Sequence, residues 1–369
     1  MDLGKLARQA LTNIKPYVPG KPIEEVKREY GLKDVIKLAS NENPLGPSPR
    51  AVKAIRGFLE EINLYPDGSC YNLTKDLGDL LGMEPSSLII GNGSDEILKL
   101  LAETFINEGD EAIMAEPSFS EYDFCVNLMA GKMIKVPVDR DYVHDLAQMA
   151  AAITDKTKLI FICNPNNPTG TIASGDRIKE FMERVPDNVI VVFDEAYFEY
   201  VNDPDYSSGL DYVKEGRKNV IVLRTFSKVY GLSGLRIGYG IANPGLIEWV
   251  SRAREPFNVN SLAQIGAEAA LGDEGFLTES LSLNEQGKKY LYQEFRQRDL
   301  DYIPTQANFI FVDLKVDSKK VFKRLLEQGV IIRTGDIFGY PDYIRVTIGK
   351  QAENERFIRA LDKALNELR

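Results

Sequence analysis

The sequence predicts an α/β fold, a large domain on a mainly parallel buried sheet flanked by helices, followed by a smaller α+β domain. Short β-branched runs recur along the chain, amphipathic stretches of helical length separate them, and beyond about residue 255 the texture changes. The runs are SSLII, EAIMA (111–115), MIKVPV (133–138), KLIFIC (158–163), NVIVVF (188–193), NVIVL (219–223) and RIGYGIA (236–242). Most are continuously apolar rather than alternating, as in strands covered on both faces. DEILKLLAETFI after the first run and SGDRIKEFMERV after the fourth carry helical patterns, the order that builds parallel sheets.

Three segments follow. Residues 1–43, rich in Pro, Gly and charge, read as an N-terminal arm associated with the small domain; 44–255 form the large domain; 256–369 form the small C-terminal domain. The last holds a long charged helical stretch, then ANFIFVDL, KKVFKRLLEQGVIIR, YIRVTIG and a terminal helix. A length of 369 residues suits two domains sharing an interface.

With 45 basic against 55 acidic residues the net charge is −10, which disfavours nucleic acid and anionic membranes as partners. The N-terminus lacks a secretory apolar region, and no apolar run approaches the roughly 18 residues of a membrane span, so a cytoplasmic protein is expected. Cys70, Cys125 and Cys163, odd in number and widely spaced, read as reduced thiols. His144 is the only histidine, so no metal site is expected, and proton transfer falls to lysine, tyrosine or carboxylate.

In open α/β sheets ligands collect beyond the carboxyl ends of the strands, so the residues just after each run carry the functional information. After SSLII comes GNGSDE and a helix, where amides near Ser94 and Asp95 could face a phosphate. Taken alone this could equally be a glycine turn with a helix cap. After KLIFIC comes NPNNPTG, which sets Asn167 at the sheet edge. NVIVVF runs into Asp194, Glu195 and Tyr197. A strand ending in Asp-Glu also occurs as the magnesium-binding strand of P-loop NTPases, but the chain has no GxxxxGK followed by Ser or Thr to hold the nucleotide. After NVIVL comes RTFSKVYGLSGLRIGYG, with Ser227, Lys228 and Arg236. A single lysine is usually a solvated surface group. Here it accompanies a strand-end carboxylate and a phosphate loop, the set that pyridoxal phosphate requires: an amine for the imine, a carboxylate for the pyridine nitrogen, and donors for phosphate and ring oxygen. In the smaller domain, Arg333 and Arg345 sit in or beside apolar runs, where an arginine is costly to bury unless an anion or a salt-bridge partner meets it.

In ordered blocks along nearly the whole chain, the sequence resembles the fold-type I aminotransferases, and within them the histidinol-phosphate aminotransferase family. These blocks are PYVPGKP, KLASNENPLGPSP, NLYPDGS, GNGSDE, EPSFSEY, CNPNNPTG, VVFDEAY, RTFSKVYGLSGLRIGY, REPFNVN, ANFIFV and GYPDYIRVTIG. The resemblance implies pyridoxal 5′-phosphate as cofactor, with Lys228 as Schiff-base lysine, Asp194 on the pyridinium nitrogen, and Asn167 and Tyr197 on the ring oxygen. It implies Ser94, Asp95, Thr225, Ser227 and Arg236 around the phosphate, and Phe119 stacked on the ring where some members carry Tyr. Tyr65 would reach the phosphate of the neighbouring subunit, implying a homodimer with shared active sites. Arg345 would grip the substrate carboxylate or phosphate, with Asn167 beside it and with Arg333 and Tyr17 adding donors for the phosphate. The implied reaction is transamination between histidinol phosphate and 2-oxoglutarate, giving imidazole acetol phosphate and glutamate, in histidine biosynthesis. Alternatives of the same fold are an aromatic amino-acid aminotransferase and a threonine-phosphate decarboxylase. A pyridoxal-binding transcription regulator would need a DNA-binding module that forty residues and an acidic charge do not supply, and a non-catalytic scaffold would have no use for Lys228, Asp194 and Arg236 together.

Overall fold

The apolar runs assemble into a seven-stranded sheet at the centre of the computed structural model, which describes residues 3–14 and 20–368. The strands in chain order are β1 (Ile36–Lys37), β2 (Leu88–Gly91), β3 (Glu111–Glu116), β4 (Lys132–Pro137), β5 (Thr157–Cys163), β6 (Ile190–Asp194), β7 (Val220–Thr225) and β8 (Gly238–Ala242). They continue with β9 (Asp301–Ile303), β10 (Phe309–Asp313), β11 (Val330–Ile331), β12 (Arg333–Thr334) and β13 (Tyr343–Thr347). The large sheet has the order β2-β8-β7-β6-β5-β3-β4. β7, β6, β5, β3 and β4 are parallel throughout, as expected, whereas β8 runs antiparallel to both β7 and β2. Its direction follows from its connection: the segment after β7 holds only the 3-10 turn Ser233–Leu235 and no crossover helix, so the chain must return alongside the strand it left. Gly238 therefore pairs with both Thr225 and Gly91, and the loop bearing Lys228 and Arg236 lies at the edge where the parallel strands end.

Both faces of this sheet are covered. By the two-residue period of a strand, Ile113, Ile160, Val191 and Val222 enter one core, and Met114, Phe161, Val192 and Leu223 the other. Val259, Ala263 and Ala267, on and just before the helix Ser261–Leu271, join the first core although they follow the change of composition near residue 255. The helix Glu274–Gln297 then leads to the antiparallel sheet β12-β13-β10-β9, packed through Ile310, Val312, Ile344 and Val346 against Leu325 and Phe357. β1 pairs in parallel with β11, which ties residues 36–37 to this C-terminal part.

The alternation also separates neighbours in sequence. Leu223 enters the second core, and Arg224 goes to the opposite face, where its Nε and Nη2 meet Glu195 Oε2 at 3.0 and 2.8 Å. The Ser208 hydroxyl and the Gly209 amide donate to Glu195 Oε1 at 2.8 and 2.7 Å, and the guanidinium lies 3.7 Å above the Phe198 ring. Both ionic side chains are almost wholly buried, so removing one strands the other. Glu195→Ala should lower the unfolding free energy by about 3–5 kcal/mol, measured by urea denaturation against the parent at unchanged slope. A loss under about 1 kcal/mol, as for an exposed pair, would remove the pair from the frame of the fold.

Candidate active site

Beyond the carboxyl edge of the large sheet, between it and the small antiparallel sheet, lies a cavity of about 280 Å³. Ser94, Asp95, Phe119, Asn167, Asp194, Tyr197, Thr225, Ser227, Lys228, Arg236, Arg333 and Arg345 all line it. Two residues singled out in the sequence do not enter this set. Tyr65 is 83% exposed and stacks on Phe257 at 4.8 Å, outside the cavity of its own chain; Tyr17 lies outside the described residues. His144 is not in the lining either, and burial lowers its pKa to about 4, so it stays neutral.

One end of the cavity is shaped for an anion. The chain leaves β2, turns at Gly93 with φ 82°, and begins the helix Ser94–Phe105, whose first-turn amides point outward. A Cβ on Gly238 would lie 2.5 Å from the Ser94 nitrogen, so only glycine lets β8 approach this turn. Arg236, itself at φ 57°, sends Nη2 to Asp95 Oδ2 at 3.0 Å and Nη1 to the Ser233 carbonyl at 3.0 Å. Thr225 Oγ1 accepts from the Ser227 amide at 3.1 Å, which braces the turn leading to Lys228. Amides, hydroxyls and a guanidinium converge where a phosphate would sit.

At the floor Asp194, the last residue of β6, is 3% exposed. Burial pushes its pKa up to about 6, against hydrogen bonds from the Tyr122 hydroxyl at 2.6 Å and the Ala196 amide at 3.2 Å. Lys228 is half-buried with its Nζ 5.5 Å from the centre of the Tyr197 ring. Desolvation and then the positive charge of Arg345 bring its pKa down to about 8, so a substantial fraction is the neutral amine near that pH. An amine and a carboxylate held partly against ionisation thus share one cavity.

The remaining wall comes from the small sheet and the N-terminal segment. Arg345 donates Nη1 to Asn167 Oδ1 and Nη2 to the Ala39 carbonyl at 2.7 Å, and lies over Phe309 and Phe338. With its oxygen so engaged, Asn167 has its Nδ2 hydrogens to offer a ligand. Tyr197 accepts from Asn41 Nδ2 at 3.0 Å, which leaves its own hydrogen to donate, and Thr347 on β13 donates to Asn41 Oδ1 at 3.0 Å. Arg333 and Arg345 stand directly opposite each other across β12 and β13 and both reach the cavity. Like charges so placed repel, and an anion between them would offset the repulsion.

Asn41 and Tyr122 carry this geometry but were not singled out in the sequence, although each lies inside a motif block. The available signal for Tyr122 was its place three residues after Phe119; nothing local marks Asn41, whose partners are 156 and 306 residues away.

A family model described as aminotransferase class I and II matches residues 33–361. The chain belongs to the aminotransferase class I and II family. Within this family, the histidinol-phosphate aminotransferase of Moorella thermoacetica is 59% identical, the match covering 97% of this chain and 92% of that protein. The enzyme of the same name from Caldicellulosiruptor saccharolyticus is 49% identical over 97% of this chain and 99% of its own. Among solved structures, histidinol-phosphate aminotransferase from Sinorhizobium meliloti in complex with pyridoxal-5′-phosphate matches with a TM-score of 0.89 at 26% identity, covering 98% of this chain and 100% of that one. The expected fold, that of a fold-type I aminotransferase, is the fold of this class I and II aminotransferase.

Proposed function

We propose that this aminotransferase uses pyridoxal 5′-phosphate to exchange an amino group between histidinol phosphate and 2-oxoglutarate, yielding imidazole acetol phosphate and glutamate. The observation that carries the reading is the joint placement, around one cavity, of the Lys228 amine, the Asp194 carboxylate, the helix N-terminus at Ser94 and the opposed Arg333 and Arg345. The names of the close relatives supply histidinol phosphate as one of the two substrates.

The residues fit the cofactor. Ser94, Asp95, Thr225, Ser227 and Arg236 would hold its phosphate in the cradle that a Cβ on Gly238 would fill. Asp194 would pair with the pyridine nitrogen, Asn167 and Tyr197 would donate to the ring oxygen, and Phe119 would cover the ring. When bound, pyridoxal phosphate supplies a conjugated ring that takes up the electron pair released as the donor's Cα–H bond breaks. Lys228 accepts the proton from that Cα, a role its lowered pKa suits because the base must be neutral before it can take the proton. Asp194 keeps a negative charge against the nitrogen, and Arg345 fixes the donor by its anionic end.

The opposed arginines give the first test. Single-turnover rates with histidinol phosphate and with glutamate, followed by the cofactor's absorbance, should both fall about tens-fold or more in Arg345→Ala, since removing one partner of a buried charged contact costs about 2–5 kcal/mol. Arg333→Ala should impair histidinol phosphate more than glutamate. Normal rates in Arg345→Ala, or equal losses for both donors in Arg333→Ala, would contradict the anion grip.

We also propose a homodimer with shared sites. Support comes from Tyr65, which faces solvent with Leu59, Ile62, Leu64, Tyr71 and Phe257, a run of exposed apolar side chains suited to burial against a second copy. Mixing Lys228→Ala with Tyr65→Ala subunits should restore activity above either alone, because one hybrid site then has both residues. No recovery after verified subunit exchange would count against a shared site.

A further inference from the structure

We propose that Tyr122 is a positioning residue for Asp194: its hydroxyl hydrogen holds that carboxylate ionised and turned toward the cavity. The inference rests on the proposed cofactor chemistry and concerns a residue that need not touch substrate or cofactor itself.

Tyr122, on the helix Glu121–Leu128, is fully buried, and its ring lies parallel to Phe161 at 4.7 Å with an interplanar angle of 5°. Phe119 meets it edge-on at 5.6 Å. These contacts would hold a phenylalanine equally well, so packing does not explain the hydroxyl. A buried phenol must find a hydrogen-bond partner, and this one donates to Asp194 Oδ2 at 2.6 Å. The bond is short and charge-assisted. Burial raises the phenol's own pKa, so it remains a donor over the working range. With Oδ2 tied to Tyr122 and Oδ1 to the Ala196 amide, the carboxylate plane cannot rotate, and each oxygen keeps acceptor capacity for the cavity. One side chain thus backs Phe119, the ring expected to cover the cofactor, and also fixes the carboxylate expected beneath it.

The other titratable groups around Asp194 are Cys163 at the end of β5, Asp95 on the helix Ser94–Phe105, Lys228 after β7 and Tyr197 in its own loop. Burial penalises the ionised carboxylate, and the Tyr122 hydrogen bond is the largest effect opposing that penalty. Its loss favours the protonated form, so the acid side of the pH profile moves to higher pH.

The test uses holoenzyme. Tyr122→Phe keeps the ring contacts and removes one donor; kcat should fall about tenfold, the acid limb of the kcat profile should rise by about one pH unit, and KM for the amino donor should stay within about twofold. Site-specific replacement of Tyr122 by 3-fluorotyrosine, a stronger donor of nearly the same shape, should move the limb the other way, and this second variant decides the matter if Tyr122→Phe does not fold. Unchanged limbs in the folded variants, or weakened cofactor retention without a shift of the limb, would overturn the positioning role and leave Tyr122 as packing alone. Failure of the parent enzyme to show cofactor-dependent transamination would instead count against the proposed function.

Discussion

The cost of keeping ionisable groups out of water governs this molecule. Asp194 is buried at the tip of a strand, Lys228 sits half-buried in the next loop, and Arg345 projects from the middle of a buried strand into the same cavity. Burial disfavours the charged forms of Asp194 and Lys228. The protein moderates the cost locally, with Tyr122 and Ala196 on Asp194 and with Asn167 and Ala39 on Arg345. What remains is a cavity whose charges are shifted from their ordinary behaviour, an amine near pKa 8 and a carboxylate near 6. Such shifts are what proton transfer at neutral pH requires, and a ligand with a phosphate, a ring nitrogen and a carbonyl would answer each charge in turn.

The scaffold that tolerates this is built by strand periodicity. Adjacent residues at the end of β6 go to opposite sides: Asp194 toward Tyr122 and the cavity, Glu195 to the buried ion pair with Arg224. Arg224 in turn precedes Thr225, which braces the turn to Lys228. The pair therefore joins the strand ends that carry the carboxylate and the amine, on the face away from the chemistry.

The large sheet was legible because its strands are covered on both faces and so read as continuous apolar runs. The reversed direction of β8 was not, because RIGYGIA looks the same whichever way it is traversed, and only the lack of a crossover helix before it determines the direction. Strand-end residues such as Asp194, Asn167 and Ser227 could be found from their positions after those runs, and the structure gathers them at one cavity. Asn41 and Tyr122 act through partners distant in sequence, and only the place of Tyr122 three residues after Phe119 hinted at its role. Arg333 and Arg345 could be noticed as charges among apolar residues, but their direct opposition depends on the pairing register of β12 with β13.

All of this places one lysine at the centre, and a chemical trap addresses that most directly. Reduction of the holoenzyme with borohydride, followed by digestion and mapping of the cofactor-bearing peptide, should find the label on Lys228 within RTFSKVYGLSGLR, and Lys228→Ala should take up none there and lose the visible absorbance of the bound cofactor. A label on a different lysine, or full visible absorbance in Lys228→Ala, would contradict the account.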